Sequence, residues 1–99
     1  MGKNKEQILS ILRENQPKLQ RYGVKRLGIF GSVSRGEASK DSDLDFLVEL
    51  ETKSFDAYMG LKLFLEDLFQ SKVDLVLENS IKPRLRETIL REVVYATGL

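Results

Sequence analysis

The stretch Gly31–Val48, GSVSRGEASKDSDLDFLV, constrains this chain more than any other. It opens on a Gly-Ser pair directly after an apolar run, VKRLGIF over residues 24–30, and closes in a second apolar run that carries Asp43 and Asp45. Successive side chains of a strand point to opposite faces, so Asp43 and Asp45 are expected on one face with α-carbons roughly 6–7 Å apart. Leu44, Phe46 and Val48 then point the other way, into a core. Adjacent carboxylates repel, and a fold tolerates that mainly where a cation sits between them. The stretch therefore points to a divalent metal, with the amides of a glycine turn close by for a phosphate.

Composition narrows the chemistry further. The 99 residues suit one domain, spanning 1–99, with enough chain for one real core. Sixteen basic and 15 acidic residues leave a net charge of +1, so no bulk attraction to nucleic acid or to a membrane is implied. No apolar run is long enough to span a bilayer, and the N-terminus lacks a signal-peptide pattern; the expected location is the cytoplasm. There is no cysteine and no histidine. Disulfides, thiolate zinc sites, Cys nucleophiles, Ser-His-Asp triads and His-ligated metals are excluded. Catalysis would have to run on carboxylates, hydroxyls, Lys, Arg, backbone amides and a hard metal such as magnesium, manganese or calcium.

Periodicity predicts a helix over 5–15, capped by Asn4 with Gln7 in capping-box spacing and carrying Ile8, Leu9, Ile11 and Leu12 as its stripe. Pro17 opens a second short helix that packs Leu19 and Tyr22 inward and ends at Gly23. Residues 24–30 lack strict alternation, as a centrally buried strand does, and Gly28 within them marks close approach by another backbone or a ligand. After Gly31-Ser32 a short helix is expected over 32–36, then a polar loop to Ser42 and a strand over 43–50. Ser54 caps a helix over 55–70 with an apolar face of Phe55, Tyr58, Met59, Leu61, Phe64, Leu65, Leu68 and Phe69. A strand over 72–77 puts Val73, Leu75 and Leu77 on one face, with Asp74 and Val76 on the other. A last helix over 83–92 turns Leu85, Ile89 and Leu90 inward, and residues 93–95 suit either its extension or an edge strand. This order describes a small α/β or α+β domain with helices packed on a sheet.

Three familiar motifs fail here. Gly31 and Gly36 have the glycine spacing of a P-loop, but Glu37 replaces the lysine that grips the terminal phosphates. No dinucleotide fingerprint is present. Asp41, Asp43 and Asp45 imitate a calcium loop, but Phe46 stands where glycine is needed and Thr52 where a bidentate glutamate is needed. What remains is a constellation. Asp74 is a lone acid in an apolar strand, which a salt bridge or a water-exposed edge would explain; a third carboxylate converging with Asp43 and Asp45 on the same metals explains all three. Gly31 allows close approach of a phosphate, and Ser32 adds a hydroxyl donor, although a plain strand-to-helix turn needs the same residues. Arg35 suits either a phosphate contact or a solvated surface.

Gly-Ser, then Arg-Gly, then Ser-Asp-x-Asp, then a later strand acid: this pattern resembles the signature of the DNA polymerase β-like nucleotidyltransferase superfamily, and within it the minimal nucleotidyltransferases of bacteria and archaea. The resemblance runs from the leading helix to the helix after Asp74. It implies a small mixed β-sheet flanked by helices, and transfer of a nucleoside monophosphate from an NTP, with ATP the family expectation, to an acceptor hydroxyl with release of pyrophosphate. It also implies that Asp43 and Asp45 hold two magnesium ions, that Asp74 holds one of them near the attacking oxygen, and that Gly31 and Ser32 seat the triphosphate. Paired metals can stabilise both the attacking and the leaving oxygens, and Asp74 could take the acceptor's proton where no histidine is present.

Larger members of the superfamily carry acceptor-binding domains, and none is expected here. Minimal members are encoded beside a HEPN-domain protein and pair with it as antitoxin and toxin. The resemblance therefore implies AMPylation of a partner HEPN toxin ribonuclease. Two other readings stand beside it: a binding module that neutralises the partner by steric contact, and nucleotide transfer to a small molecule or RNA. The amphipathic helices and the segment Tyr95–Leu99 suit a homodimer or a partner interface as well as a monomer core.

Overall fold

Strands β1 (Val24–Phe30), β2 (Leu44–Leu50), β3 (Val73–Leu77) and β4 (Val94–Tyr95) form one sheet in the order β3-β2-β1-β4. The computed structural model describes residues 4–36, 43–52 and 54–96. The loop through Asp41 and Ser42, the turn residue Lys53 and the end of the 95–99 segment lie outside the described residues. β1 runs antiparallel to β2 and β4, whereas β2 and β3 are parallel. A parallel pair needs a crossover, and α3 (Phe55–Phe69) supplies it. The sheet is thus mixed and flanked by helices, as expected.

Helices α1 (Lys5–Glu14), α2 (Gln16–Arg21) and α3 cover one face. Asn4 Oδ1 accepts from the Gln7 amide at 2.8 Å and Gln7 Oε1 from the Asn4 amide at 3.2 Å, so the capping box closes. Pro17 stands in the first turn of α2, where a missing N–H is harmless. Ser54 Oγ accepts from the Ala57 amide and starts α3, and Gln70 ends it in the left-handed region. Ile8, Leu12, Leu19, Leu61, Leu65 and Phe69 from these helices meet Leu27, Ile29, Phe46, Val48, Val73 and Leu75 from the sheet. The Phe46 and Phe69 rings lie 5.7 Å apart.

The opposite face carries Arg26, Gly28 and Phe30 of β1 and their register partners on β2: Glu49, Leu47 and Asp45. A β-carbon on Gly28 would lie 2.6 Å from Val93 Cγ2 and 3.0 Å from the Val94 carbonyl. The close approach read from Gly28 is therefore that of the β4 segment and not of a ligand. Residues 94–95 take the edge-strand option, with the Ala96 amide donating to the Leu27 carbonyl at 2.9 Å.

Four expectations need correction. Phe55 does not belong to the buried face of α3: it is 74% exposed. It is the first residue of the helix, and the buried residues of α3 begin only at Leu61. Leu85 and Leu90 of α4 (Pro83–Glu92) are 46% and 39% exposed instead of inward. α4 lies on the side opposite the three-helix layer, and none of its residues is buried. Residues 31–36 form a turn and not a short helix, and β2 begins at Leu44, so Asp43 stands just before the strand.

Candidate active site

One row across the sheet brings the singled-out residues together. Phe30 pairs with Asp45 between β1 and β2, and Asp45 pairs with Asp74 between β2 and β3. Neighbouring strands lie about 4.8 Å apart and paired residues share a face, so Asp45 and Asp74 are adjacent at one end of the sheet. Asp43 precedes β2 at that same end and is exposed. Asp74 is exposed as well, on edge strand β3, and the water-exposed edge accounts for its tolerance there. The edge reading does not account for its register with Asp45.

Phe30 is the last residue of β1, so the Gly31 turn begins beside this row. The Arg35 amide donates to the Gly31 carbonyl and the Gly36 amide to the Val33 carbonyl, each at 3.1 Å, and buried Val33 anchors the turn in the core. Gly31 has φ +75°, and a β-carbon there would overlap Asp45 Oδ2 and lie 3.0 Å from Asp45 Cγ. Glycine is thus required for the backbone conformation and for the space the carboxylate occupies. Ser32 follows, half-buried.

Electrostatics single out Asp45. Burial, then the Asp74 charge, then the Asp43 charge push its carboxyl up to about 6 from an ordinary 3.8; Arg35 acts in the opposite direction, and Glu92 adds to the rise. Arg35 is itself paired, its Nη1 lying 2.8 Å from Glu92 Oε1. Its guanidinium is thus held by Glu92 while the side chain stays partly exposed. Among the described residues no three acidic side chains close into a ready-made metal cage. The donor set nonetheless fits a hard divalent cation: its ligands would be carboxylate oxygens, and Asp45 feels the like charges of Asp74 and Asp43.

Ser34 and Glu92 were not read from the sequence as site residues. The Ser34 hydroxyl donates to the Glu92 carbonyl, and the Glu92 carboxylate takes Arg35. Glu92 lies 57 positions from Arg35, so no local spacing could have linked them.

A glycine turn thus abuts a row of carboxylates at one end of a small mixed sheet. The model of the nucleotidyltransferase domain family matches residues 5–96, and the chain belongs to that family. It is 46% identical to the protein adenylyltransferase MntA of Thermococcus cleftensis over 91% of this chain and 93% of that protein. A solved structure provisionally assigned as a minimal nucleotidyltransferase superposes with a TM-score of 0.79 at 41% identity, covering 93% of this chain and 95% of that one. A chain from the structure of a tri-AMPylated HEPN toxin of Shewanella oneidensis in complex with an MNT antitoxin superposes with a TM-score of 0.60 at 26% identity, covering 97% and 71%. Family membership carries nucleotide binding and divalent-metal use with it. No helix among the described residues is long and apolar enough to cross a membrane.

Proposed function

We propose that this chain transfers AMP from ATP to a hydroxyl of a HEPN-type toxin in the cytoplasm, and so acts as that toxin's antitoxin. The observation that carries the reading is the row Phe30–Asp45–Asp74 with Gly31 set against Asp45, in a chain of the nucleotidyltransferase family. The Thermococcus relative's name and the AMPylated toxin of the Shewanella complex support the choice of acceptor.

Asp43, Asp45 and Asp74 would hold two magnesium ions. When bound, these supply Lewis-acid stabilisation of charge on the attacking and leaving oxygens. The backbone amides that follow Gly31 and the Ser32 hydroxyl donate to phosphate oxygens, and the missing β-carbon of Gly31 lets them come close to the carboxylate row. Arg35 adds positive charge beside that seat. The acceptor oxygen attacks the α-phosphorus, the bond from that phosphorus to the bridging oxygen of the β-phosphate breaks, and pyrophosphate leaves with the electron pair. Asp74, exposed on the edge strand, takes the hydroxyl proton.

The test uses ATP labelled at the α- or the γ-phosphate, magnesium and the HEPN-domain partner. Label reaching the partner from the α position alone, and lost with Asp43→Asn, is the expected result. Transfer from the γ position would make the protein a kinase. An unmodified partner that stays inhibited, by Asp43→Asn as well as by wild type, would leave steric contact as the mechanism.

A further inference from the structure

α4 is tied at its two ends. At its start, Arg86 Nη1 donates to the Glu78 carbonyl at 3.4 Å. At its end, Glu92 takes hold of two neighbouring residues of the 31–36 turn: its carbonyl accepts from the Ser34 hydroxyl, and its carboxylate accepts from Arg35 Nη1 at 2.8 Å. Between these ties no residue of the helix is buried, so core packing does little to fix it. Within the turn, backbone bonds join Arg35 to Gly31 and Gly36 to Val33; Glu92 adds a hold from outside the turn.

The placement of Glu92 is electrostatically odd. Its side chain is 21% exposed, and its charge reaches Asp45, where two other carboxylates already crowd. A further acid there works against a site that must receive a polyphosphate, unless it acts through the arginine it holds. An arginine loses rotamer freedom when it fixes a ligand, and holding it beforehand removes that cost from the binding step.

We propose that Glu92 is a positioning residue for the nucleotide seat: its carboxylate holds the Arg35 guanidinium beside the carboxylate row, and its carbonyl on Ser34 keeps the turn in the shape that presents Gly31 and Ser32. This rests on the reading of the turn as the triphosphate seat. It makes the last turn of α4, remote in sequence, a working part of that seat.

Calorimetric titration of the full chain with MgATP tests it, for wild type, Glu92→Gln, Arg35→Ala and the double variant. Glu87→Gln is the control, because it breaks the exposed Arg91–Glu87 pair on the same helix. Glu92→Gln should bind about three- to fivefold more weakly, as loss of a part-exposed charged pair allows. The double variant should bind no more weakly than Arg35→Ala alone, because the two residues act as one unit. Glu87→Gln should bind as wild type, and the melting temperature of Glu92→Gln should stay within about 3 °C of wild type. Glu92→Gln binding as wild type, additive losses in the double variant, or an equal loss in Glu87→Gln would each overturn the proposal. A wild type that binds MgATP but modifies no acceptor would sink the functional reading and leave this comparison decisive. A wild type that binds no MgATP would overturn both.

Discussion

The sheet face opposite the three-helix layer finishes in two different ways. At one end Arg26 lies 2.7 Å from Glu78 and 3.5 Å from Glu49, with its guanidinium 5.0 Å from the centre of the Tyr95 ring. Glu78 Oε2 remains buried there without a hydrogen-bond partner among the described residues. Four residues along the same strands, Asp45, Asp74 and Asp43 gather where, among the described residues, Arg35 is the one cation that acts on Asp45, and it is paired with Glu92. One end meets its acids with a cation and an aromatic ring; at the other, among the described residues, acids outnumber the cations that face them. Strand composition alone does not separate a structural acid from a functional one. Compensation does, and sites carry the local cost that the rest of the fold avoids.

The largest effects should fall at the uncompensated end. Asp45→Asn is expected to lower transfer to the partner by on the order of 10²–10³-fold, read from initial rates with labelled ATP. Gly31→Ala should do at least as much, because its β-carbon enters the space of the Asp45 carboxylate. The compensated end should respond in stability alone. Arg26→Ala strands the Glu78 carboxylate and should cost about 1–2 kcal/mol in denaturant unfolding, with transfer within about twofold of wild type. Gly28→Ala, pressed against Val93 and the Val94 carbonyl, should cost a similar about 1–2 kcal/mol.

The smallest effect is one of pH. Asp45 holds its proton more tightly in the folded chain, near 6 against 3.8. Its contribution is therefore most favourable below pH 3.8 and is lost as the pH rises through 6. Metal-free wild type should lose about 1 kcal/mol relative to Asp45→Asn between pH 5 and 7.5, once solvent screening of a half-exposed group is allowed for. Parallel pH curves for the two proteins would contradict this.

Much of this was legible from residue chemistry. Asn4 with Gln7, Pro17 and Ser54 marked helix starts because caps and first turns demand those residue types. The Asp-x-Asp strand and Asp74 pointed to one place, and the β2–β3 register puts Asp45 beside Asp74. The outward Phe55, Leu85 and Leu90 escaped because an amphipathic stripe states which face is apolar, not whether a sheet extends beneath it. Gly28 was read as close approach by backbone or ligand; only pairing with β4 decides between them. The hold of Glu92 on Ser34 and Arg35 joins positions that only the completed fold makes neighbours.

Thermal unfolding of wild type and Asp45→Asn at pH 7.5, with and without magnesium, tests most directly whether this end of the sheet is built to be completed by a cation. Without metal, Asp45→Asn should melt about 4–8 °C above wild type for a gain of about 1 kcal/mol. Magnesium should raise the wild-type melting temperature and leave the variant nearly unmoved, so that the gap closes. A variant that melts below wild type without metal, with magnesium shifting both proteins equally or neither, would contradict the account.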